Sequence, residues 1–126
     1  MRVVSDRGEA STQMVVLVPV MFLLALVVVQ GALWFHAANV AESAAARGAA
    51  AGSVVSGGAG SASAAASMVV SENGGRLAGA PSVAVGADRV VVDVEVAVPQ
   101  IVPFFPSSVR RTQSEPRERF VPEPER

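Results

Sequence analysis

From Met14 to Phe35 the chain runs through 22 residues in which Gln30 is the one strongly polar side chain. As an α-helix this stretch rises about 33 Å, close to the roughly 30 Å hydrocarbon core of a bilayer. One transmembrane helix over residues 14–35 is therefore predicted, and it limits what the remainder of a 126-residue chain can build. Trp34 and Phe35 at its C-terminal end suit an interfacial aromatic belt. Arg2 and Arg7 lie on its N-terminal side, and the next basic residue beyond it is Arg47. By the positive-inside rule, residues 1–13 form a cytoplasmic stub and the chain from Ala37 onward faces outward, a single-pass cell-membrane topology. A cleavable secretory signal is the competing reading, with Ala44-Ala45-Ala46 as the cleavage site, but such signals carry apolar cores of roughly 7 to 15 residues. Pro19 lies inside the run and removes the N–H that would bond the Val15 carbonyl, which favours a bend that neighbouring groups must re-satisfy in lipid.

Of the 91 residues beyond the span, about 75 are available for a folded domain, a size at which a limited fraction of surface can be buried. The apolar fraction of 51% is swollen by alanine and by the span, and the aromatic side chains are five Phe and one Trp, so the core is small. Ten arginines, no lysine and eleven acids give a net charge of -1. A nucleic-acid binder needs clustered positive charge, so no nucleic-acid partner is expected. With no cysteine, the chain has no disulfide, thiolate metal site or thiol nucleophile. An exported domain without covalent staples leans on partners instead.

Residues 36–80 form an Ala-rich helical region. His36 to Gly52 is almost wholly alanine with Asn39, Glu42 and Arg47, so one helix is predicted from Ser11 to Gly52, roughly 60 Å long. Its small side chains permit close packing against partner subunits, with Ala44, Ala45 and Gly48 as contact positions. Gly57, Gly58 and Gly60 interrupt it, and Ser61 to Glu72 reads as a second helix ended by Asn73-Gly74-Gly75. Residues 81–109 form a small β region. Val90, Val92, Val94, Val96 and Val98 alternate with Arg89, Asp93 and Glu95, the period of a half-buried strand. Ser82–Val85 is a shorter strand joined to it by Gly86-Ala87-Asp88, and Val109–Ser114 supplies a third after the crossover Ile101–Pro106. The fold class is α+β: a long transmembrane helix continuing as an Ala-rich helix, packed on a two- to three-stranded antiparallel sheet. Residues 110–126 mix Arg, Glu and Pro and read as a weakly ordered polar tail.

Chemistry-bearing patterns are sparse. His36 has no carboxylate or second ligand near it in sequence, and Asp93 with Glu95 lacks a His, Cys or further acid, so both read as solvated polar positions. No phosphate loop, nucleophile with a base or metal-ligand spacing occurs. No catalytic residue, cofactor, metal or small-molecule substrate is expected.

Three blocks point to a family. Arg7-Gly8 is followed four residues on by Gln13-Met14 and then by Val18-Pro19 in the apolar run. Ser43 to Ala49 carries a small-residue segment containing Arg47-Gly48, and Ser114 to Phe120 gives a Pro/Glu/Phe ending. In these the chain resembles the TadE-like family, pseudopilins of the tight-adherence or Flp (type IVb) pilus and secretion systems. The resemblance implies a non-enzymatic subunit that packs with other pilin-like subunits and pilus-assembly membrane proteins. It also implies that a prepilin peptidase cuts after Gly8, leaving Glu9 as the new N-terminus; glycine lets an extended backbone enter such a site. The family has Glu where this chain has Gln13, and a small or apolar residue where it has Glu9, which suits a minor or divergent member. Locally, Asp6 with Glu9 also reads as a capping-box helix start that leaves Gly8 in the first turn. The alternative function is a small exported or membrane-anchored binding module unrelated to pili.

Overall fold

Alanine carries the apolar helix onward without a break. Helix α1 spans Arg7–Ser53, 47 residues and about 70 Å, and passes through Pro19 as continuous helix. The computed structural model describes residues 7–118, with side chains from Gln13 onward. The expectations placed on Arg2, Asp6 and Phe120 lie outside the described residues.

After α1 come α2 (Ala59–Glu72) and three strands, β1 (Ser82–Val85), β2 (Arg89–Ala97) and β3 (Ser108–Pro116). The strands form one antiparallel sheet in the order β1-β2-β3. The α+β expectation holds, including the third strand.

Local chemistry explains the turns. At Gly57, whose N–H donates to the Val54 carbonyl at 2.8 Å, a side chain would collide with the Ala51 carbonyl oxygen. Helix α2 starts two residues ahead of the predicted Ser61, because Ser61 Oγ sits at the third helical position and accepts the Gly58 N–H at 2.9 Å. It ends as a Schellman motif: Gly74 N–H donates to Ser71 O at 3.1 Å and Gly75 N–H to Val70 O at 2.9 Å. Gly74 stands in the left-handed region (φ 67°), which glycine occupies without a Cβ penalty.

The valine alternation is realised in full. Val90, Val92, Val94, Val96 and Val98 are all buried, whereas Arg89 is exposed and Asp93 and Glu95 are half-buried on the other face. Strand β3 realises the strand expected at Val109–Ser114 and extends it to Ser108 and Pro116, so residues 110–116 of the segment also expected as a weakly ordered tail are paired. The ladder with β2, from Ala97↔Ser108 to Arg89↔Pro116, orders these polar residues by backbone pairing. Two further bonds fasten the strand's end: Arg117 N–H to Asp88 O and Glu118 N–H to Ser53 O, the latter serving a last-turn carbonyl of α1.

One expectation is corrected. The small residues of α1 are used inside the chain: Ala41, Ala44, Ala45 and Ala49 are buried, and they share one core with Ala62, Ala66 and Val70 of α2 and the β2 valines. A Cβ on Gly48 would stand 2.9 Å from the Ala62 carbonyl oxygen, 3.1 Å from Ala66 Cβ and 3.1 Å from Val92 Cγ1. Gly48 is thus the point where α1, α2 and β2 meet. A sheet of valines and a second Ala-rich helix require a helix surface with almost no side chain, so Ala44, Ala45 and Gly48 face their own domain and not a partner subunit.

Candidate functional site

The domain covers α1 from Gln30 to its end and leaves the N-terminal half bare. Apolar side chains from Met14 to Val29 stand in the open apart from half-buried Leu26, with Phe22 70% and Val28 72% exposed, and Gln30 is the first fully buried residue among those with described side chains. From Gln13 to Val29 the uncovered helix measures about 26 Å, most of the thickness of a bilayer's hydrocarbon core. This is the one helix among the described residues long and apolar enough to cross a membrane. Burial therefore begins at Gln30, inside the stretch expected in the bilayer to Phe35.

Gln30 sets that boundary by hydrogen bonding. Its Nε2 donates to the Pro99 carbonyl at 3.1 Å, and its Oε1 accepts the N–H groups of Ile101 at 2.8 Å and Val102 at 3.2 Å. One amide thereby satisfies three backbone groups of the β2–β3 loop, which irregular backbone could not pair by itself. About one helical turn further on, Trp34 is half-buried and the Arg111 guanidinium of β3 lies 5.7 Å from its ring centroid, a cation–π contact. Phe35 packs edge-on to Trp34 and is 65% exposed. Gln30 and the Trp34–Arg111 pair form a collar around α1 where bare helix meets domain.

The residues singled out in sequence are distributed along this rod. Arg7, Gly8 and Glu9 occupy the first turn of α1. Gln13 is exposed on the bare half, beside Val16, Leu17 and Val20. Pro19 lies in the same half. Arg47 is exposed on the covered half, one position and about 100° of rotation from buried Gly48, so the domain's edge passes between the two neighbours. The sequence blocks thus fall on one helix but do not converge on one site. His36 is exposed next to a groove lined also by Leu33, Val40, Arg76 and Val96.

Asp93 and Glu95 are joined across the sheet by Arg110 and are not simply solvated. Arg110 Nη2 lies 2.7 Å from Glu95 Oε2 and Nη1 lies 3.6 Å from Asp93 Oδ2, and Ser108 Oγ donates to Glu95 Oε1. The Ser108 hydrogen bond and then the Arg110 guanidinium hold the Glu95 carboxyl below its ordinary pKa. In return the Glu95 bond raises that of Arg110. Among the described residues, no three of His, Cys, Asp and Glu are grouped to hold a metal ion.

Sequence reasoning noted Gln30 only as a polar interruption and did not reach its partners Pro99, Ile101 and Val102, nor the Trp34–Arg111 contact. The available signal was a lone amide in a lipid-length run, since such a group must find a partner.

No curated protein and no solved structure matches the chain. Residues 8–50, from the first turn of α1 to the Ala-rich block around Gly48, match the family of TadE-like proteins, in agreement with the resemblance that Arg7-Gly8, Pro19 and Arg47-Gly48 carry.

Proposed function

We propose that the chain is a non-enzymatic, single-pass membrane subunit of a Flp/Tad-type pilus or related secretion apparatus. The bare half of α1 is the working surface: an apolar rod of about 24 Å from Met14 to Val29 that its own domain leaves uncovered. In this reading the rod packs laterally against other pilin-like helices and assembly membrane proteins, while the collar stops it at the membrane surface. Arg2 and Arg7 favour a cytoplasmic N-terminus and an extracytoplasmic α2–sheet domain. The match over residues 8–50 and the candidate membrane helix support a Tad-pilus-related membrane protein.

Processing after Gly8 belongs to the same reading. Gly8 and Glu9 lie in a helical first turn, and a peptidase takes extended backbone, so that turn must unwind. Glycine lowers the cost by about 1 kcal/mol relative to alanine. Intact mass of the protein from native membranes reads this directly as loss of Met1 to Gly8.

Photocrosslinking tests the packing. A benzophenone amino acid at Leu24 on the bare half should capture pilin-like subunits or pilus-assembly membrane proteins in cells that make the apparatus. The same group at Ala46, exposed on the covered half, serves as the comparison. Adducts from Leu24 that contain only lipid or unrelated membrane proteins would overturn the reading.

A further inference from the structure

The β2–β3 loop lies beside the part of α1 that enters the bilayer, and its chemistry suits lipid. We propose that the tip of this loop, Ile101 to Phe105, inserts into the interfacial layer of the membrane leaflet next to the domain, as a second membrane contact beside α1. The inference rests on α1 being anchored in a membrane, and not on any role in a pilus.

Four observations carry it. Gln30, within the apolar run, holds the loop through Pro99, Ile101 and Val102, so the loop is fixed at the depth of Gln30. Trp34 with Arg111, a pair suited to the headgroup level, lies four residues further along α1. That puts the Gln30 level about 6 Å deeper, within the depth reached by interfacial segments. From Val96 to Val109 the chain has no charged residue for 14 positions, although charges flank it as Glu95 and Arg110.

The third observation concerns backbone donors, the groups that lipid cannot satisfy. Of the eight residues 99–106, Pro99, Pro103 and Pro106 have no N–H, and two more donate to Gln30. Gln100 Nε2 donates to the Phe105 carbonyl at 2.6 Å, which takes up an acceptor of the same loop. Fourth, Phe104 is 100% exposed and its backbone is left-handed (φ 77°), an uncommon state for a bulky residue. Ile101 beside it is 47% exposed. A loop that is uncharged, poor in free N–H groups and tipped by an outward ring matches a lipid surface better than water.

The chain has no cysteine, so single cysteines can be introduced into the full-length protein and labelled with an environment-sensitive nitrobenzoxadiazole. In vesicles of phosphatidylcholine and phosphatidylglycerol, three sites are compared: Phe104→Cys, Leu24→Cys on the bare helix and Ser114→Cys on β3. The Phe104 label should emit to the blue of the Ser114 label, lose intensity with lipids that carry a nitroxide near the headgroup, and resist aqueous iodide. Iodide quenching equal to that at Ser114 overturns the inference. So does protection from both quenchers, which would mean that a protein neighbour, such as a second copy of the chain, covers the loop. A Leu24 label insensitive to nitroxide lipids would sink the anchoring reading itself, whereas quenching at Leu24 with none at Phe104 removes only the loop's insertion.

Discussion

Gln30 and Ile101 are 71 positions apart in sequence and 2.8 Å apart in space, joined from the side-chain Oε1 to a backbone N–H. Because Val102 and Pro99 share the same amide, its removal strands three backbone groups at once. Gln30→Leu keeps much of the volume and removes the bonds. It should destabilise the domain by about 1–3 kcal/mol, since stranded buried groups keep their desolvation cost. For a domain of this size each kcal/mol lowers Tm by roughly 4–8 °C. Thermal melts in detergent give the loss, and hydrogen exchange at Ile101 and Val102 should accelerate ahead of the β2 amides. Unchanged exchange at those two amides would refute the latch.

Gly48 gives a second prediction. Gly48→Val drives methyls into the Ala62 carbonyl, Ala66 and Val92, which α1, α2 and β2 cannot all yield. Overpacking of this kind costs typically about 1–3 kcal/mol. The loss should appear in purified protein free of any partner, as earlier unfolding in urea. Ala46→Val, on the exposed side, should leave the midpoint within about 0.5 kcal/mol of the parent, as most surface changes do.

The α2 terminus offers a third. Gly74→Ala places a Cβ in the left-handed region, at a cost of about 1–2 kcal/mol. At Gly79 an added Cβ meets nothing within 4 Å and no such backbone applies, so Gly79→Ala should be close to neutral. Paired melts of the two variants separate backbone conformation from crowding.

Titration of Glu95 gives the fourth. Its folded pKa is lowered by Ser108 and Arg110, so its contribution is present above the unfolded value near 4.5 and is lost as pH falls through the folded value. The raised pKa of Arg110 acts in the opposite sense and only at strongly alkaline pH, outside this window. Glu95→Gln should therefore flatten the acid limb of the stability curve below about pH 4.5 and reduce stability at neutral pH. Urea midpoints from pH 3 to 7 read both effects, and parallel acid limbs for parent and variant would count against it.

Much of this architecture was legible because it depends on local rules. The valine alternation gave β2 and its buried face, Asn73-Gly74-Gly75 gave the end of α2, and Gly86-Ala87-Asp88 gave the first hairpin turn. Two features were legible only in part, for different reasons. The many alanines and glycines between Ala37 and Gly52 state that something approaches closely but not what, and α2 with the sheet proves to be the neighbour of Gly48. The polarity of Arg110 to Pro116 suggested a loose tail while Val109–Ser114 also read as a strand, and pairing with β2, a term that composition does not contain, decides for the strand and carries it to Pro116. Gln30 was visible as an oddity, and its meaning required contacts across 71 residues.

The unbroken course of α1 makes the molecule a lever. Gln30 divides Arg7–Ser53 into arms of 23 and 24 residues, about 34 and 36 Å, with the collar as fulcrum. A tilt of the bare arm by about 10° would swing the far end of the domain by roughly 6 Å the other way, for a rigid rod of that rise. With the domain bolted to one arm at Gly48 and to the fulcrum by Gln30, a force applied to the bare arm is delivered at the other end as displacement of the valine sheet.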